Sequence, residues 1–138
     1  GEEGLKLSSK WKEEGTRTFL GIHTRGFPNL FLIAGPQGGG GSFNFTDAID
    51  EHSEYVVWLL KTMRENGKNR VDVLEEPEAE YTEHCRMADS STRPLRDCVS
   101  YYNGHGDAQP GSLAYYGGGQ WHKFRERAQE TLEPFIFA

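Results

Sequence analysis

The sequence predicts a small α+β fold, about three helices packed on short strands, and two observations carry that reading. One is a long helical periodicity over 47–66, where Ala48, Ile49, Tyr55, Val56, Leu59, Leu60 and Met63 recur along one stripe. The other is a set of short apolar runs at 18–23, 29–34, 70–74 and 135–137, bounded by glycine, proline, asparagine or charge. At 138 residues the chain is long enough for one core. It reads as one domain, with 1–16 as a charged N-terminal arm and 17–138 as the module proper.

In order, the arm offers Leu5, Leu7 and Trp11 as apolar anchors. Residues 18–23 and 29–34 read as strands, the second apolar enough to be covered on both faces. Thr46 or Asp47 suits the cap of the 47–66 helix, Lys61 and Arg64 suit its negative end, and Gly67 stops it. Val71 and Val73 alternate in a strand over 70–74. Pro77 fits the first turn of a helix reaching about residue 88, with Tyr81, Cys85 and Ala88 on one face. The acidic start of that helix (Glu75, Glu76, Glu78, Glu80) reads as a solvated surface. Strands over 98–102 and 112–116 flank the turn-forming stretch NGHGDAQPG. Gly117, Gly118 and Gly119 lead into a helix over 120–132, in which Trp121 and Phe124 read as core, and 135–137 closes as an apolar strand.

Composition narrows the function. A net charge of −6 disfavours nucleic acid and anionic membrane surfaces, since phosphate binding needs a basic face. No apolar run reaches the roughly 20 residues of a membrane span, and residues 1–15 lack a signal-peptide core, so a cytoplasmic protein is expected. Cys85 and Cys98 are then expected as reduced thiols. No spacing of cysteine or histidine marks a metal site, and none is expected.

The most informative stretch is GFPNLFLIAGPQGGGGSFN, from Gly26 to Asn44. An apolar run enters a loop with glycine at 38, 39, 40 and 41, which brings backbone N–H groups close to a neighbour that side chains would obstruct. Around it the pieces fall in a definite order. Thr18-Phe19-Leu20-Gly21 precedes GFPNLF; GPQ and the glycine loop follow; Asn44 leads a helix bearing Glu51-His52; Ala79-Glu80 and His84-Cys85 lie on the next. Ser100-Tyr101-Tyr102-Asn103-Gly104, Pro110-Gly111, Tyr116-Gly117-Gly118 and a terminal aromatic strand complete the series. This series resembles the C-terminal portion of the Baeyer–Villiger class of flavin monooxygenases. The resemblance implies that 30–34 is the last strand of a flavin-binding region and that the following loop lines a substrate pocket.

The chain also departs from that family's pattern. Tyr101 stands where the family has a tryptophan over the active site, Ser112 where it has a lysine after Pro-Gly, and Gly38 to Ser42 where it has a Ser-Pro bulge. No glycine cluster has the GxGxxG spacing that holds a dinucleotide. The expectation is therefore a stand-alone, cofactor-independent biosynthetic enzyme of cyclase, pericyclase, isomerase or dehydratase type, acting on a small molecule by enclosure and orientation. One alternative is a fragment or subunit of an FAD- and NADPH-dependent monooxygenase that needs a partner chain. Another is a non-catalytic small-molecule binding module. A homodimer is expected from burial of a former domain interface.

Candidate catalytic residues are Gln37, His52, Tyr101 and His105. Gln37 and the amides of Gly38, Gly39, Gly40 and Gly41 are candidate donors to a carbonyl oxygen, or else a tight connection with no ligand. Ser42, Phe43 and Asn44 line the same loop. His52 is a candidate base or a packed histidine. Tyr101 and Tyr102 fall on opposite strand faces, so one of them can face a pocket. His105 and Asp107 make a candidate acid/base pair or an exposed loop.

Overall fold

The computed structural model describes residues 1–38, 44–90 and 120–138, without the side chains of 89 and 90. Among these, a 3-10 turn at Glu2–Gly4 is followed by α1 (Leu7–Glu14), α2 (Phe45–Glu65), β1 (Val71–Val73), α3 (Glu75–Ser90), α4 (Gln120–Thr131) and β2 (Phe135–Phe137). β1 and β2 pair antiparallel, with Val71 opposite Phe137 and Val73 opposite Phe135. Four helices on a two-stranded ribbon make the α+β fold; the fourth helix, α1, lies in the arm. The expected strands over 98–102 and 112–116, and Cys98, lie outside the described residues.

α2 forms where the periodicity places it, with Ala48, His52, Tyr55, Leu59 and Met63 on its buried face. Its cap is Asn44 rather than Thr46 or Asp47. The Asn44 carboxamide oxygen accepts from Thr46 N–H at 3.0 Å and from the Thr46 hydroxyl at 2.8 Å. The buried face meets Phe19, Leu20, Ile22, Val71, Val73, Tyr81, Cys85, Trp121 and Phe135 in one core. Each large apolar side chain removed from water there contributes about 1.5–3 kcal/mol.

Two expected strands are not strands. Residues 18–23 form a buried reversal closed by a single bridge, Phe19 N–H to His23 O at 2.9 Å and His23 N–H to Phe19 O at 3.0 Å. Leu20 and Gly21, at φ 61° and 68°, turn the chain back where extended backbone would carry it on. Residues 30–34 run apolar and half-buried outside any sheet. Leu30 N–H bonds Phe27 O, Leu32 N–H bonds Ile22 O, and Ala34 N–H bonds His52. Among the described residues, the N–H groups of Phe31 and Ile33 have no partner. Alternate amides of the segment are thus bonded, though not to a neighbouring strand.

The arm is fixed by charge as well as by Leu7 and Trp11, which are half-buried. Leu5 is exposed, whereas the Lys10 ammonium is buried and sits 2.8 Å from the Glu78 carboxylate on α3. The same Glu78 oxygen accepts from the Thr24 hydroxyl at 3.1 Å and from Arg25 N–H at 2.8 Å. Lys10 also donates to Thr24 Oγ1 and to Arg25 O. Glu78 is fully buried, so the solvated acidic surface expected there holds for Glu75, Glu76 and Glu80 and fails for Glu78. Two steps, i to i+3 and then i+4, place Glu78 on the Tyr81–Cys85 face, where a cation from another element neutralises it.

Replacing Lys10 with Met should cost about 3 kcal/mol in urea unfolding, because the buried Glu78 charge is left with only the longer contact to Arg17 Nε at 3.7 Å. The double variant Lys10→Met/Glu78→Leu should recover most of that loss. A single variant as stable as the parent would show the pair to be dispensable.

Candidate functional site

The turn at 34–38 is built from the inside. Ala34 and Gln37 both adopt positive φ, 52° and 63°, a conformation that costs a non-glycine residue about 1–2 kcal/mol and persists where surroundings enforce it. The enforcement is a set of buried hydrogen bonds. The Gln37 side-chain oxygen accepts from Thr18 N–H at 3.0 Å and from the Thr18 hydroxyl at 2.7 Å, and its nitrogen donates to Thr16 O at 3.2 Å. Tyr81 OH donates to Gln37 O at 2.7 Å, and Thr82 OH to Thr18 O at 3.3 Å. Gln37, expected to donate to a substrate carbonyl, is instead fully buried with its carboxamide committed to the protein.

Gly38 closes the turn, its N–H bonding Gly35 O at 3.0 Å. A Cβ on Gly21 would stand 2.0 Å from Gly38 Cα, and a Cβ on Gly38 would stand 2.6 Å from His52 Cε1. Gly21, Gly38 and His52 therefore form one contiguous stack. The His52 ring lies parallel to the Trp121 indole, with centroids 5.3 Å apart and 19° between planes. Trp121 Nε1 donates to Leu20 O at 2.9 Å, and Arg125 rests over the indole while pairing with Glu51.

His52 Nδ1 accepts from Ala34 N–H at 3.1 Å. Burial lowers its pKa to about 4, opposed by the Gly38 backbone and the Glu51 charge, so the ring is neutral across the physiological range. His23, absent from the sequence-level candidates, is a second buried imidazole. It lies 3.2 Å from Tyr55 OH among Phe19, Phe31 and Phe135, and burial lowers its pKa to about 3. Burial also raises the Tyr55 hydroxyl well above its ordinary value. No spacing marked His23; Leu20-Gly21-Ile22 looked extended, and only the reversal turns His23 inward.

The structure thus brings Gln37, Gly38 and His52 together, while Asn44 stands exposed two turns earlier on α2 as its cap. Gly39, Gly40, Gly41, Ser42, Phe43, Tyr101, Tyr102, His105 and Asp107 lie outside the described residues. Two open clefts, lined by residues 1–6, Ser9, 25–30 and Arg70, include none of the candidates. Among the described residues there is no cluster of groups able to hold a metal and no helix long and apolar enough to cross a membrane.

The order of these pieces, and the fold that joins them, recur in known proteins. The chain is 32% identical over 123 residues to neopentalenolactone D synthase of Streptomyces avermitilis, covering 86% of this chain and 20% of that protein. It is 33% identical to pentalenolactone D synthase of Streptomyces exfoliatus and 31% identical to the Baeyer–Villiger monooxygenase peniC of Penicillium patulum. It matches the C-terminal portion of Baeyer–Villiger flavin monooxygenases. Among solved structures, closed cyclohexanone monooxygenase superposes with a TM-score of 0.84 at 25% identity, covering all of this chain and 26% of that one. OTEMO, in complex with FAD and NADP, superposes at 0.83 with 26% identity, covering all of this chain and 25% of that one. No family model matches the sequence. The chain spans about a fifth of the length of the curated relatives it matches.

The described residues do not make a seat for the FAD and NADP that the OTEMO structure carries. Gly21, Gly35 and Gly38 are packed against protein atoms, leaving no glycine cradle for a pyrophosphate, and Gln37 is engaged internally. FAD and NADPH do not fit these residues alone.

Gly21→Ala should destabilise by about 2 kcal/mol or more, through the Gly38 clash added to positive φ. Gly67→Ala, at φ 63° in open space, should show about 1 kcal/mol from the conformation alone; equal losses would show that the close approach is not needed. A second expectation concerns acid. The folded chain excludes protons that unfolded His23 and His52 accept near pH 6.5, so stability is complete above that pH and falls as pH drops toward the folded values. Between pH 7 and 5 the loss should be about 2 kcal/mol per histidine in urea titrations. A flat profile would place a charged or exposed ring at both positions.

Proposed function

We propose that this chain is the C-terminal module of an FAD- and NADPH-dependent Baeyer–Villiger-type monooxygenase, forming one wall of a site whose cofactors are held by other parts of the protein or by a companion chain. The observation that carries this reading is the half-paired segment 30–34. Its Leu30, Leu32 and Ala34 amides are bonded, while those of Phe31 and Ile33 have no partner among the described residues and the Ile33 side chain is exposed. A backbone with alternate amides unsatisfied and apolar side chains half-covered is suited to join a larger sheet. The homology supports the same reading, since Baeyer–Villiger monooxygenases about five times longer than the matched region are among the relatives and one solved neighbour carries FAD and NADP.

In this role the module contributes shape. The 34–38 turn is rigid because its carbonyls and carboxamide are bonded on the protein side, so the chain leaving Gly38 starts from a fixed point. When bound, FAD supplies the oxygen-activating chemistry and NADPH the reducing equivalents. The residues here orient and exclude water.

The test replaces the matching C-terminal fifth of pentalenolactone D synthase with this chain. The chimera should hold FAD and convert a ketone to an ester with NADPH and oxygen, while the 138-residue chain alone should leave flavin fluorescence unquenched. Tight FAD binding by the chain alone would sink the proposal, as would a folded, flavin-loaded chimera that makes no ester. Turnover of a small molecule by the isolated, colourless chain would instead establish the cofactor-independent enzyme.

A further inference from the structure

His52 carries a polar atom that the fold does not satisfy. Its Nδ1 accepts from Ala34 N–H at 3.1 Å, so the ring proton resides on Nε2. That Nε2 is buried and has no hydrogen-bond partner of good geometry. Buried orphan donors are uncommon, and each calls for an explanation. A leucine or phenylalanine would fill this face of α2 without leaving one, so packing alone does not explain a histidine here.

The surroundings supply the reason. Ala34 and Gly38 are the two ends of one turn, and both lie against the same imidazole: Ala34 through its N–H, Gly38 through a Cα so close that a side chain would meet Cε1 at 2.6 Å. The ring is held on its other side by Trp121, itself fixed to Leu20 O, and Leu20 adjoins the Gly21 that packs on Gly38. His52, Trp121, Leu20–Gly21 and Gly38 therefore close a loop of contacts around the turn.

We propose that His52 is a positioning residue for the reaction, its neutral imidazole bridging Ala34 and Gly38 so that the chain leaves the turn in one direction. The inference rests on reading the chain as a monooxygenase module. The ring touches no reacting atom, since it is 1% exposed; it acts through Gly38. Displacing a wall of a site by about an ångström can cost up to about a hundredfold in rate or binding.

Two variants test this. His52→Phe keeps an aromatic face for Trp121 but removes the acceptor for Ala34; His52→Gln restores an acceptor. In the 138-residue chain, nitrogen NMR should find the proton on Nε2, and amide exchange at Ala34 and Gly38 should quicken in H52F and slow again in H52Q. In the pentalenolactone D synthase chimera, H52F should raise KM for the ketone about tenfold with kcat little changed, and H52Q should recover part of it. A proton on Nδ1, or unchanged exchange in H52F, overturns the bridge whatever the chimera does. Faster exchange with parental KM and kcat overturns the positioning role while leaving the proposed function standing. A parent chimera that is folded but inactive removes the proposed function and this role with it.

Discussion

The close approach of Gly21 to Gly38 governs the rest of the structure. Two backbone segments meet where neither can bear a side chain, and everything nearby is arranged to permit or exploit that contact. The 18–23 segment must reverse to bring Gly21 inward, which is why Leu20 accepts a positive φ and why a strand is lost there. The 34–38 turn must arrive with Gly38 foremost, which requires the same of Ala34 and Gln37. Strain at three side-chain-bearing residues is tolerated because buried hydrogen bonds from Thr18, Tyr81 and the Gln37 carboxamide over-determine the geometry.

Polar groups, more than apolar ones, decide how the peripheral pieces attach. Glu78 gathers Lys10, Thr24 and Arg25 at one buried carboxylate oxygen, joining α1, the 24–26 turn and α3. Arg17 Nε lies 3.7 Å from its second oxygen. Asp72 does the same on a smaller scale, accepting from Gly26 N–H and Val73 N–H, while Asn29 lays its carboxamide along the free edge of β1. Such contacts add little net stability over well-packed apolar groups, yet they are costly to break, so they fix where each piece sits.

Against this internal completeness, segment 30–34 stands out as unfinished. The amides of Leu30, Leu32 and Ala34 are bonded and those of Phe31 and Ile33 have no partner among the described residues, on a stretch that is apolar throughout yet only half-buried. The continuous apolar run reads as a strand, but none forms there among the described residues: the amides of Leu30, Leu32 and Ala34 bond Phe27 O, Ile22 O and the His52 ring instead of one neighbouring strand. The same reasoning explains the site. Gln37 and Gly38 were legible as special because glycine and a polar residue interrupt an apolar run, but their direction was not, and the structure turns both inward.

What the sequence determined by itself is whatever depends on local spacing: α2 from a 3.6-residue apolar stripe, α3 and α4 from shorter ones, β1 and β2 from alternating or aromatic triplets, and kinship with the monooxygenases from the order of short motifs. Tertiary structure alone decided the pairing of β1 with β2, the burial of Lys10 on Glu78 and of His23 on Tyr55, and the Gly21–Gly38–His52 stack. Each of these joins residues far apart in the sequence through charge, hydrogen bonding or the absence of a Cβ. Such interactions leave no periodic trace along a chain, because their partners are chosen by where the backbone has already gone.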